Sequence, residues 1–484
     1  MVQGVGFRPF IFRLAQQYNQ LGWIANTGQG VTIELEGEPG RQLGFVSSLQ
    51  HQAPPLSQIE SVTIDRLPPK GFRSFEFKSS ITGESKSPFV LPDIAICSAC
   101  RSDLFNPNSR YYRYPFTSCC HCGPRYSIMQ SQPYDRERTS MNSFELCGSC
   151  KQEYQNPENR RFHAQTLVCK DCGPNIFFLD RDGNRLADRE TALQSAVAAL
   201  HAGEIIAVKG IGGYQLLADA RNQKALANLR KRKNRPCKPF ALMVPELATA
   251  QRLCHITQLE RLALTSAAAP IVLLNRRKAV NIDNLVAPDN SLLGIMLPYS
   301  PLHCLLLNDF GAPLVATSGN RENEPICIGQ EQAFNRLQDI ADCFLSHNRG
   351  IVRPLDDSIV RIIGGKTTVL RRARGYAPTP VEIKHPIPET LAVGGYLKNT
   401  VAISRGKHVI LSQHLGDLDT IDSRQQFETT LADLMQFYQV KPSRAAHDLH
   451  PGYSSSQYAK SLTIKTFSVQ HHYAHIVSLS LIHI

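Results

Sequence analysis

Residues 97–122 read CSACRSDLFNPNSRYYRYPFTSCCHC, and the same framework returns at residues 147–172 as CGSCKQEYQNPENRRFHAQTLVCKDC. Both stretches begin and end with a C-x-x-C pair, and eighteen residues separate the two pairs in each. An Asn-Pro dipeptide also recurs at matching positions, at 106–107 and 156–157. An arginine does the same, as Arg110 in the first stretch and Arg160 in the second. This spacing predicts an internal duplication, with a first copy at 97–122 and a second copy at 147–172.

The cysteine pairs are best explained as zinc ligands. Tetrahedral zinc takes four thiolates, so two C-x-x-C hairpins can close one site with no open position. Closed sites are structural, and zinc binding worth on the order of 10 kcal/mol can replace the hydrophobic core that so short a segment lacks. Which hairpins share a zinc stays open, because the first could pair with the third. The predicted ligands are Cys97, Cys100, Cys119, Cys122, Cys147, Cys150, Cys169 and Cys172.

Three further side chains in this region could in principle bind a metal. The duplication places Lys170 opposite Cys120 and Asp171 opposite His121, and neither replacement keeps the ligand type. Cys120 and His121 are therefore predicted to be spacers. A lone histidine such as His163 is more often an ordinary surface or core residue.

Composition limits the class of protein. At 484 residues with 42% apolar content, the chain should divide into three or four domains. No run of about 18 apolar residues occurs and the start lacks a secretory signal, so we expect a cytoplasmic protein with no membrane partner. Nine of the 14 cysteines lie within residues 97–172, which favours metal binding over disulfides. The net charge of +12 favours an anionic partner, whether nucleic acid, nucleotide or phosphorylated substrate.

The first eighty residues predict a βαββαβ order that lacks its first strand. Strands are predicted at Trp23–Ile24, after the NTGQG turn, near Val62 and at 75–77, with a second amphipathic helix around residues 43–49. The first helix should end before Gly22. The apolar residues predicted to share its face are Ile11, Leu14, Ala15, Tyr18 and Leu21.

A glycine-spaced loop precedes that first helix. Backbone N–H groups at a helix N-terminus suit an anion, and the Arg8 guanidinium could bind the same phosphate. The segments VQGVGFR at 2–8 and GWIANTGQGVTIELEG at 22–37 resemble the acylphosphatase family. The resemblance implies that Arg8 binds the phosphoryl oxygens and that Asn26 orients the attacking water.

The centre of the chain, residues 185–380, predicts an α/β domain. A helix in TALQSAVAALHAG ends at Gly203, and the buried strand EIIAVKG ends on Lys209. The basic run LRKRKNRPCKPF at 229–240 is either a solvated or nucleic-acid-attracting patch or a polyphosphate clamp. The motifs GIGG and TSGN favour the clamp, because they supply backbone and hydroxyl donors.

Several motifs of this region, including KNRPCKPFALMV, LPYSPLH, VATSGN and RPLDDSIVR, resemble a YrdC-like domain, the fold that makes carbamoyl-adenylates from ATP. The resemblance implies a nucleotide pocket. Of Asp356 and Asp357, at most one is expected to bind magnesium, because adjacent side chains point apart. The implied pocket residues are Lys233, Arg235, Ser318 and Asn320, with Lys209 and Arg371 as weaker candidates.

Residues 385–484 begin a new pattern. The glycine pair before Lys398 suits nucleotide phosphate, although GG-x-x-K alone is a weak signal. His471 and His475 are four positions apart, so they share a helix face and could bind a divalent metal. The series resembles the ASKHA-type carbamoyl- and threonylcarbamoyl-transferases, in which a distant downstream aspartate completes the H-x-x-x-H pair.

That aspartate does not occur in the nine residues after His475. The final LSLIHI continues no pattern, and we expect it to be translated adapter sequence. Together with the missing first strand, this suggests a fragment truncated at both ends, for which we expect bound zinc but no completed group transfer.

The expected fold class is multidomain α/β and α+β. It comprises a ferredoxin-like acylphosphatase domain (1–80), a duplicated zinc-ribbon region with two four-cysteine sites (90–178), a YrdC-like domain (185–380) and an incomplete ASKHA-like domain (385–484).

This order resembles the HypF carbamoyltransferases of nickel–iron hydrogenase maturation. The resemblance implies hydrolysis of carbamoyl phosphate, use of ATP with magnesium to form carbamoyl-adenylate, and transfer to the C-terminal cysteine of HypE. Two zinc ions and a further divalent metal at His471 and His475 are the implied metals. Nucleic acid is not an expected partner.

Two rival functions remain open from the sequence. A tRNA-threonylcarbamoylating enzyme would share the YrdC-like and ASKHA-like parts, but the acylphosphatase-like start argues against it. A zinc-dependent chaperone or adaptor would use the cysteine units to bind client proteins. Loss of carbamoyl phosphate turnover on substitution of Arg8 would exclude a purely adaptor role.

Overall fold

The computed structural model describes residues 4–27, 30–54, 56–57, 59–78, 89–278 and 281–480. The start of the VQGVGFR loop, the Gly-Gln pair of the NTGQG turn and the final LIHI lie outside these residues. The chain forms two compact units. The first comprises Met1–Asn175, Tyr299–Leu305 and His347–Val352, and the second comprises Ile176–Pro298, Leu306–Ser346 and Arg353–Ile484.

The first unit starts with a three-stranded sheet and two helices in the predicted order. The elements are α1 (Phe7–Gln17), β1 (Leu21–Thr27), β2 (Gly30–Glu36), α2 (Pro39–His51) and β3 (Phe75–Phe77). β1 is central, antiparallel to β2 and parallel to β3. Ile11 and Leu14 of α1 and Phe45 of α2 share one core with Ile24 of β1, as the 3.6-residue period of the helices requires.

Two predictions for this segment were wrong. The first helix ends at Gln17, because Asn19 adopts a left-handed backbone with φ 50° that stops the helix, and Leu21 instead begins β1 with 36% of its surface exposed. No strand forms in residues 59–73, where Val62 is exposed. Two prolines, at 68 and 69, lack the N–H donors that a ladder needs.

The duplication is visible in the rest of the first unit. α3 (Ser98–Phe105) and α4 (Gly148–Gln155) are equivalent helices, each beginning after a cysteine. Equivalent backbone bonds follow, since Arg113 N–H donates to Leu104 O (2.9 Å) and His163 N–H to Tyr154 O (3.0 Å). Arg113 and His163 also share a left-handed φ, 54° and 52°. Two short 3₁₀ helices, Arg136–Arg138 and Ser140–Ser143, lie between the copies in sequence.

A twelve-stranded mixed sheet dominates the second unit, with strand order β15-β14-β10-β11-β8-β12-β7-β6-β13-β4-β5 and β9 paired with β10. Its strands are β4 (Ile176–Leu179), β5 (Arg185–Asp188), β6 (Ile206–Lys209), β7 (Tyr214–Asp219), β8 (Ala241–Met243), β9 (Cys254–His255), β10 (Ile271–Arg276), β11 (Leu292–Met296), β12 (Leu314–Ser318), β13 (Cys343–His347), β14 (Ile359–Ile363) and β15 (Lys366–Arg371). The apolar runs in β6, β7 and β12 are buried, as expected for central strands.

Among the described residues, six α-helices accompany this sheet in sequence, and a 3₁₀ turn spans Asn284–Val286. Gly203 takes a left-handed φ of 82° just after the first of them, as its sequence position predicts. The helices are α5 (Arg189–His201), α6 (Gln223–Arg232), α7 (Leu247–Leu253), α8 (Gln258–Leu264), α9 (Pro301–Phe310) and α10 (Gln330–Leu337).

A five-stranded sheet of order β16-β18-β17-β19-β20 ends the second unit. Its strands are β16 (Val381–Ile387), β17 (Thr390–Ala392), β18 (Ala402–Leu411), β19 (Arg444–Asp448) and β20 (Lys465–Val469), and its helices are α11 (Ile421–Tyr438), α12 (Ser454–Ser461) and α13 (His471–Ser480). In the described part of the chain, no helix is both long enough and apolar enough to cross a bilayer. These sheets and helices confirm the multidomain α/β and α+β class.

Candidate functional site

The loop before Arg8 packs against the duplicated region. Gly4 and Gly6 have left-handed backbones, with φ of 79° and 76°, which side chains with a Cβ rarely adopt. A Cβ at Gly6 would lie 2.8 Å from Cε1 of His121 and 3.1 Å from Sγ of Cys120. Glycine is therefore required at Gly6 both by conformation and by space, and the loop delivers Arg8 into the first turn of α1.

Arg8 forms an ion pair with Asp135. Its Nη2 lies 3.2 Å from Oδ1 of Asp135, and the two side chains are 13% and 26% exposed. The part-buried His163 ring lies near this pair, stacked on Phe77 at 4.3 Å and close to Tyr154 at 4.8 Å. Burial, aided by the nearby Arg8 charge, lowers the pKa of His163 to about 4, so this imidazole is neutral at pH 7.

Asn26 lies in β1 with only 1% of its surface exposed. Its Oδ1 is buried and has no hydrogen-bond partner among the described residues. Buried polar atoms are nearly always paired, so an unpaired amide oxygen suits a site that receives water or a ligand. Within the described residues no hydrogen bond joins Asn26 to Arg8, and Asp135, which contacts Arg8 directly, had no sequence signal.

The eight predicted cysteine ligands form two clusters. Each cluster draws on one copy of the duplication, so the alternative pairing of the first hairpin with the third is wrong. Sγ–Sγ distances include 3.7 Å for Cys97–Cys119 and 3.7 Å for Cys147–Cys169. Four sulfurs about 2.3 Å from one zinc ion would be about 3.8 Å apart, so both clusters fit a tetrahedral structural zinc.

The two intervening side chains have other contacts. Cys120 is buried and its Sγ lies 3.2 Å from the carbonyl oxygen of Arg160. His121 lies against Gly6, as described above. Neither belongs to a cluster of potential metal ligands in the described part of the chain.

Lys233 organises the TSGN loop. Its Nζ donates to the carbonyl oxygens of Ser318 (2.7 Å) and Asn320 (2.7 Å) and to Oδ1 of Asn320 (2.9 Å). The Ser318 hydroxyl donates to the same Oδ1 at 2.8 Å. Burial, with the neighbouring charge of Arg235 next, lowers the pKa of Lys233 to about 7. The structure thus brings Lys233, Ser318 and Asn320 into one hydrogen-bonded group.

Further positive charges surround this group. Arg235 donates to Oγ1 of Thr317 at 3.1 Å, and burial lowers its pKa to about 10, with Arg371 as the next cause. The pKa of Lys238 is lowered by burial and then by the nearby charges of Arg235 and Arg371. We call Lys233, Arg235, Lys238 and Arg371 the cationic cluster. Lys238 stands in the basic run that the sequence indicated, although it was not a predicted site residue.

The two neighbouring aspartates have different surroundings. Oδ2 of Asp356 accepts from Nη1 of Arg371 at 2.8 Å, and its charge reaches Lys233 and Arg235. Asp357 is buried and paired with Nη2 of Arg374 at 2.9 Å, and it also accepts from Gln215. The side chains point apart, as expected. Asp356 is therefore the one that faces the cationic cluster.

The remaining two predicted lysines come from other elements of the second unit. Lys209 ends β6 in a buried position, opposite Tyr214 of β7. Lys398 is exposed in the turn after β17, with a φ of 50°, and its backbone N–H donates to Oδ1 of Asp417 at 2.6 Å. Among the described residues no hydrogen bond links the Lys398 side chain to the cationic cluster.

A loop from the C-terminal segment packs against the same region. His414 N–H donates to the carbonyl oxygen of Arg372 at 2.7 Å, and Asn323 donates to Asp419 at 2.9 Å. Burial, with the nearby charge of Arg371 as the next cause, lowers the pKa of His414 to about 4. The neutral His414 and the nearby Asp417 thus lie next to the cationic cluster. Nothing in the sequence indicated that these two residues would lie there.

His471 and His475 meet at the start of α13. Their Nε2 atoms lie 3.1 Å apart, a separation possible for two nitrogens bound at about 2.1 Å to one metal. Nδ1 of His471 lies 2.7 Å from Oδ2 of Asp448. A carboxylate on the other ring nitrogen is the arrangement that orients metal-binding histidines. Asp448 was not predicted, although its motif AAHDLHPGY stands out in the sequence.

Four family models match the chain. The acylphosphatase model matches residues 1–77, and the HypF finger model matches 96–129 and 146–179. The Sua5/YciO/YrdC model, described as telomere recombination, matches 198–373. The HypF Kae1-like domain model matches 385–481.

Relatives match nearly the whole chain. The carbamoyltransferase HypF of Synechocystis sp. is 49% identical over 479 residues, which cover 99% of this chain and 62% of the relative. HypF of Rhizobium leguminosarum bv. viciae is 43% identical, with 99% and 62% coverage. The crystal structure of full-length HypF in the phosphate- and nucleotide-bound form has a TM-score of 0.96 at 41% identity, covering 100% of this chain and 63% of that chain. This chain therefore spans less than two thirds of the length of these relatives.

Proposed function

This chain belongs to the HypF family, and on that premise we propose that it serves carbamoyl transfer in nickel–iron hydrogenase maturation. Carbamoyl phosphate is hydrolysed at Arg8 and Asn26 to carbamate and phosphate. ATP, with magnesium, then converts carbamate to carbamoyl-adenylate and pyrophosphate at the cationic cluster. The carbamoyl group finally passes to the C-terminal cysteine of HypE, releasing AMP.

The cationic cluster is the observation that carries this proposal. Lys233 donates to the Ser318 carbonyl oxygen and to Oδ1 of Asn320, and the Ser318 hydroxyl donates to the same Oδ1. The charges of Arg235, Lys238 and Arg371 lie close to Lys233 or to one another. Preorganised cations and donors are what a polyphosphate and a pyrophosphate leaving group require. Asp356, which faces the cluster, is the better candidate of the two aspartates for magnesium.

Further roles follow for the remaining segments. Hydrolysis takes place in residues 1–80, and the zinc-stabilised residues 90–178 act as a support. Adenylation takes place in residues 185–380, and residues 385–484 begin the transferase domain. His471 and His475 hold a divalent metal that would act as a Lewis acid in the last step. Lys209 and Lys398 assist nucleotide binding, and the protein works in the cytoplasm. Enclosure of the stations would protect carbamate and the mixed anhydride from water.

The test is carbamoyl-phosphate-dependent exchange of pyrophosphate into ATP. The chain should catalyse exchange, and Lys233→Ala and Ser318→Ala should abolish it. Lys231→Ala is the matched control, because Lys231 belongs to the same basic run but is exposed on α6. Exchange that survives Lys233→Ala, or that does not depend on carbamoyl phosphate, would contradict the proposal.

A further inference from the structure

Asp135 stands beside the phosphate-binding arginine of the proposed hydrolysis station. Its Oδ1 lies 3.2 Å from Nη2 of Arg8, and it immediately precedes the short 3₁₀ helix Arg136–Arg138, 127 positions away from Arg8 in sequence. A carboxylate next to an arginine that must hold a phosphoryl group repels that group. Such a carboxylate therefore weakens phosphate binding unless another part of the substrate interacts with it.

We propose that Asp135 selects the carbamoyl group of the substrate by accepting a hydrogen bond from its amide nitrogen, an inference that rests on the proposed hydrolysis at Arg8. A phosphoryl oxygen bound to the Arg8 guanidinium lies about 3 Å from its nitrogens. The acyl group is joined to that phosphorus through one bridging oxygen. It is then within contact distance of a carboxylate that touches the same guanidinium.

The chemistry of the competing substrates supports this assignment. Carbamoyl phosphate and acetyl phosphate have the same shape but differ in one group, an NH₂ in place of a CH₃. The NH₂ can donate an additional hydrogen bond to the carboxylate, whereas a methyl group cannot. A site built to accept a substrate N–H discriminates strongly against an analogue that lacks it. The additional hydrogen bond therefore offsets the repulsion between Asp135 and the phosphate only when the acyl group is carbamoyl.

The neighbouring groups leave this role to Asp135. His163, stacked on Phe77 and in tilted contact with Tyr154, is neutral at pH 7 and adds no charge to the site. The Tyr154 hydroxyl donates to Oε1 of Gln165 at 3.3 Å. These rings pack against one another.

The experiment compares kcat/KM for carbamoyl phosphate and acetyl phosphate in the full chain. We expect the wild type to prefer carbamoyl phosphate and Asp135→Ala to reduce that preference by about tenfold or more. Asp135→Asn should retain part of the preference, because its amide oxygen can still accept a hydrogen bond. Glu137→Gln is the matched control, since it removes an exposed carboxylate of the same 3₁₀ segment.

The outcomes separate this inference from the proposed function. A selective loss of carbamoyl phosphate turnover in Asp135→Ala supports it. If Asp135→Ala and Asp135→Asn slow both substrates equally, Asp135 only positions Arg8 and the inference is wrong, although the hydrolysis station stands. If the wild type hydrolyses neither substrate, the hydrolysis station and the inference both fall. Zinc content and circular dichroism of each variant establish that it is folded.

Discussion

Arg160 donates a hydrogen bond from Nη1 to Sγ of Cys100 over 3.0 Å, so an arginine of the second copy contacts the cysteine cluster of the first. The relationship is reciprocal, because Nη2 of Arg110 lies 3.3 Å from Sγ of Cys150. Each arginine also pairs with an acid of the other copy, Asp103 or Glu153. Zinc with four thiolates carries two net negative charges, and each guanidinium offsets part of that charge. The two metal sites therefore stabilise each other.

Removal of Arg160 should weaken zinc binding in the copy to which it does not belong. We expect Arg160→Ala to lower zinc affinity at Cys97, Cys100, Cys119 and Cys122 by about 10- to 100-fold, as loss of an outer-shell partner does. The measurement is alkylation of cysteines during chelator challenge, mapped by mass spectrometry. Arg110→Ala is the matched variant and should expose the second cluster first. Faster alkylation of each arginine's own cluster would contradict this crossed arrangement.

The crowded sequence SCCHC should contain two zinc ligands and two spacers. Cys119→Ser should lose one of two zinc ions, because a hydroxyl is a poor substitute for a thiolate. Cys120→Ser should retain both, since the Cys120 Sγ lies against a carbonyl oxygen outside the clusters. Elemental analysis of the purified variants measures the zinc content. Loss of zinc from Cys120→Ser would refute the assignment.

The neighbouring aspartates should separate into a structural and a functional residue. Asp357→Ala would leave the buried Arg374 without its ion-pair partner and should lower the free energy of unfolding by about 3–5 kcal/mol. Asp356→Ala removes a part-exposed partner of Arg371, so it should change stability little and magnesium-dependent ATP binding strongly. Chemical denaturation and calorimetric titration with ATP measure the two effects. If Asp357→Ala instead weakened magnesium-dependent ATP binding and Asp356→Ala instead lowered stability, magnesium would be assigned to Asp357.

Nucleotide binding should take up a proton near neutral pH. The pKa of Lys233 is about 7 in the free protein, and a bound polyphosphate anion raises it. Below pH 7 the lysine is already charged, whereas above pH 7 binding must also protonate it. Affinity for ATP should therefore fall as pH rises from 7 to 9, by up to about tenfold per unit. Calorimetry in buffers of different ionisation enthalpy measures the uptake. Lys233→Met should abolish it, whereas Lys231→Met should not.

Asp448 should control metal binding at the histidine pair. Although burial raises the pKa of Asp448, hydrogen bonds from His450 N–H and His471 lower it below its usual value, so it is ionised at neutral pH. Asp448→Asn should weaken binding of a divalent probe such as cobalt by about 10- to 100-fold. The visible absorption of cobalt reports occupancy, and His472→Ala, an exposed neighbour on the same helix, is the control. Equal affinity in Asp448→Asn and wild type would exclude this role.

Local spacing predicted much of this protein. The position of each cysteine pair, the glycine after α5 and the basic run around Lys233 are signals within one short segment. The proximity of Ser318 and Asn320 to Lys233 followed only from family resemblance, because more than eighty residues separate them. Strand formation near Val62 was wrong because exposure and prolines outweighed an alternating apolar pattern.

Contacts between side chains that are far apart in the chain could not be predicted from the sequence. Asp135 and Arg8 are joined across 127 positions, and Asp448 and His471 across 23. The crossed arginines were visible as repeats but not as contacts, since a duplication does not show which copy its side chains face. Each of these pairs combines common residue types with no fixed spacing, so only tertiary structure relates them.

The close approach of Gly6 to His121 brings the loop before α1 into contact with the first cysteine copy, which is distant from it in sequence. His121 stands between the candidate zinc ligands Cys119 and Cys122, so the turn that would hold the ion also contacts the loop in front of Arg8. If the chain hydrolyses acyl phosphates as proposed, a metal-depleted preparation should lose that activity as an Arg8 variant should, without any change in the reacting residues. Specific activity should consequently be expressed per metal-loaded molecule, and a purification that uses strong chelators would mimic a catalytic defect.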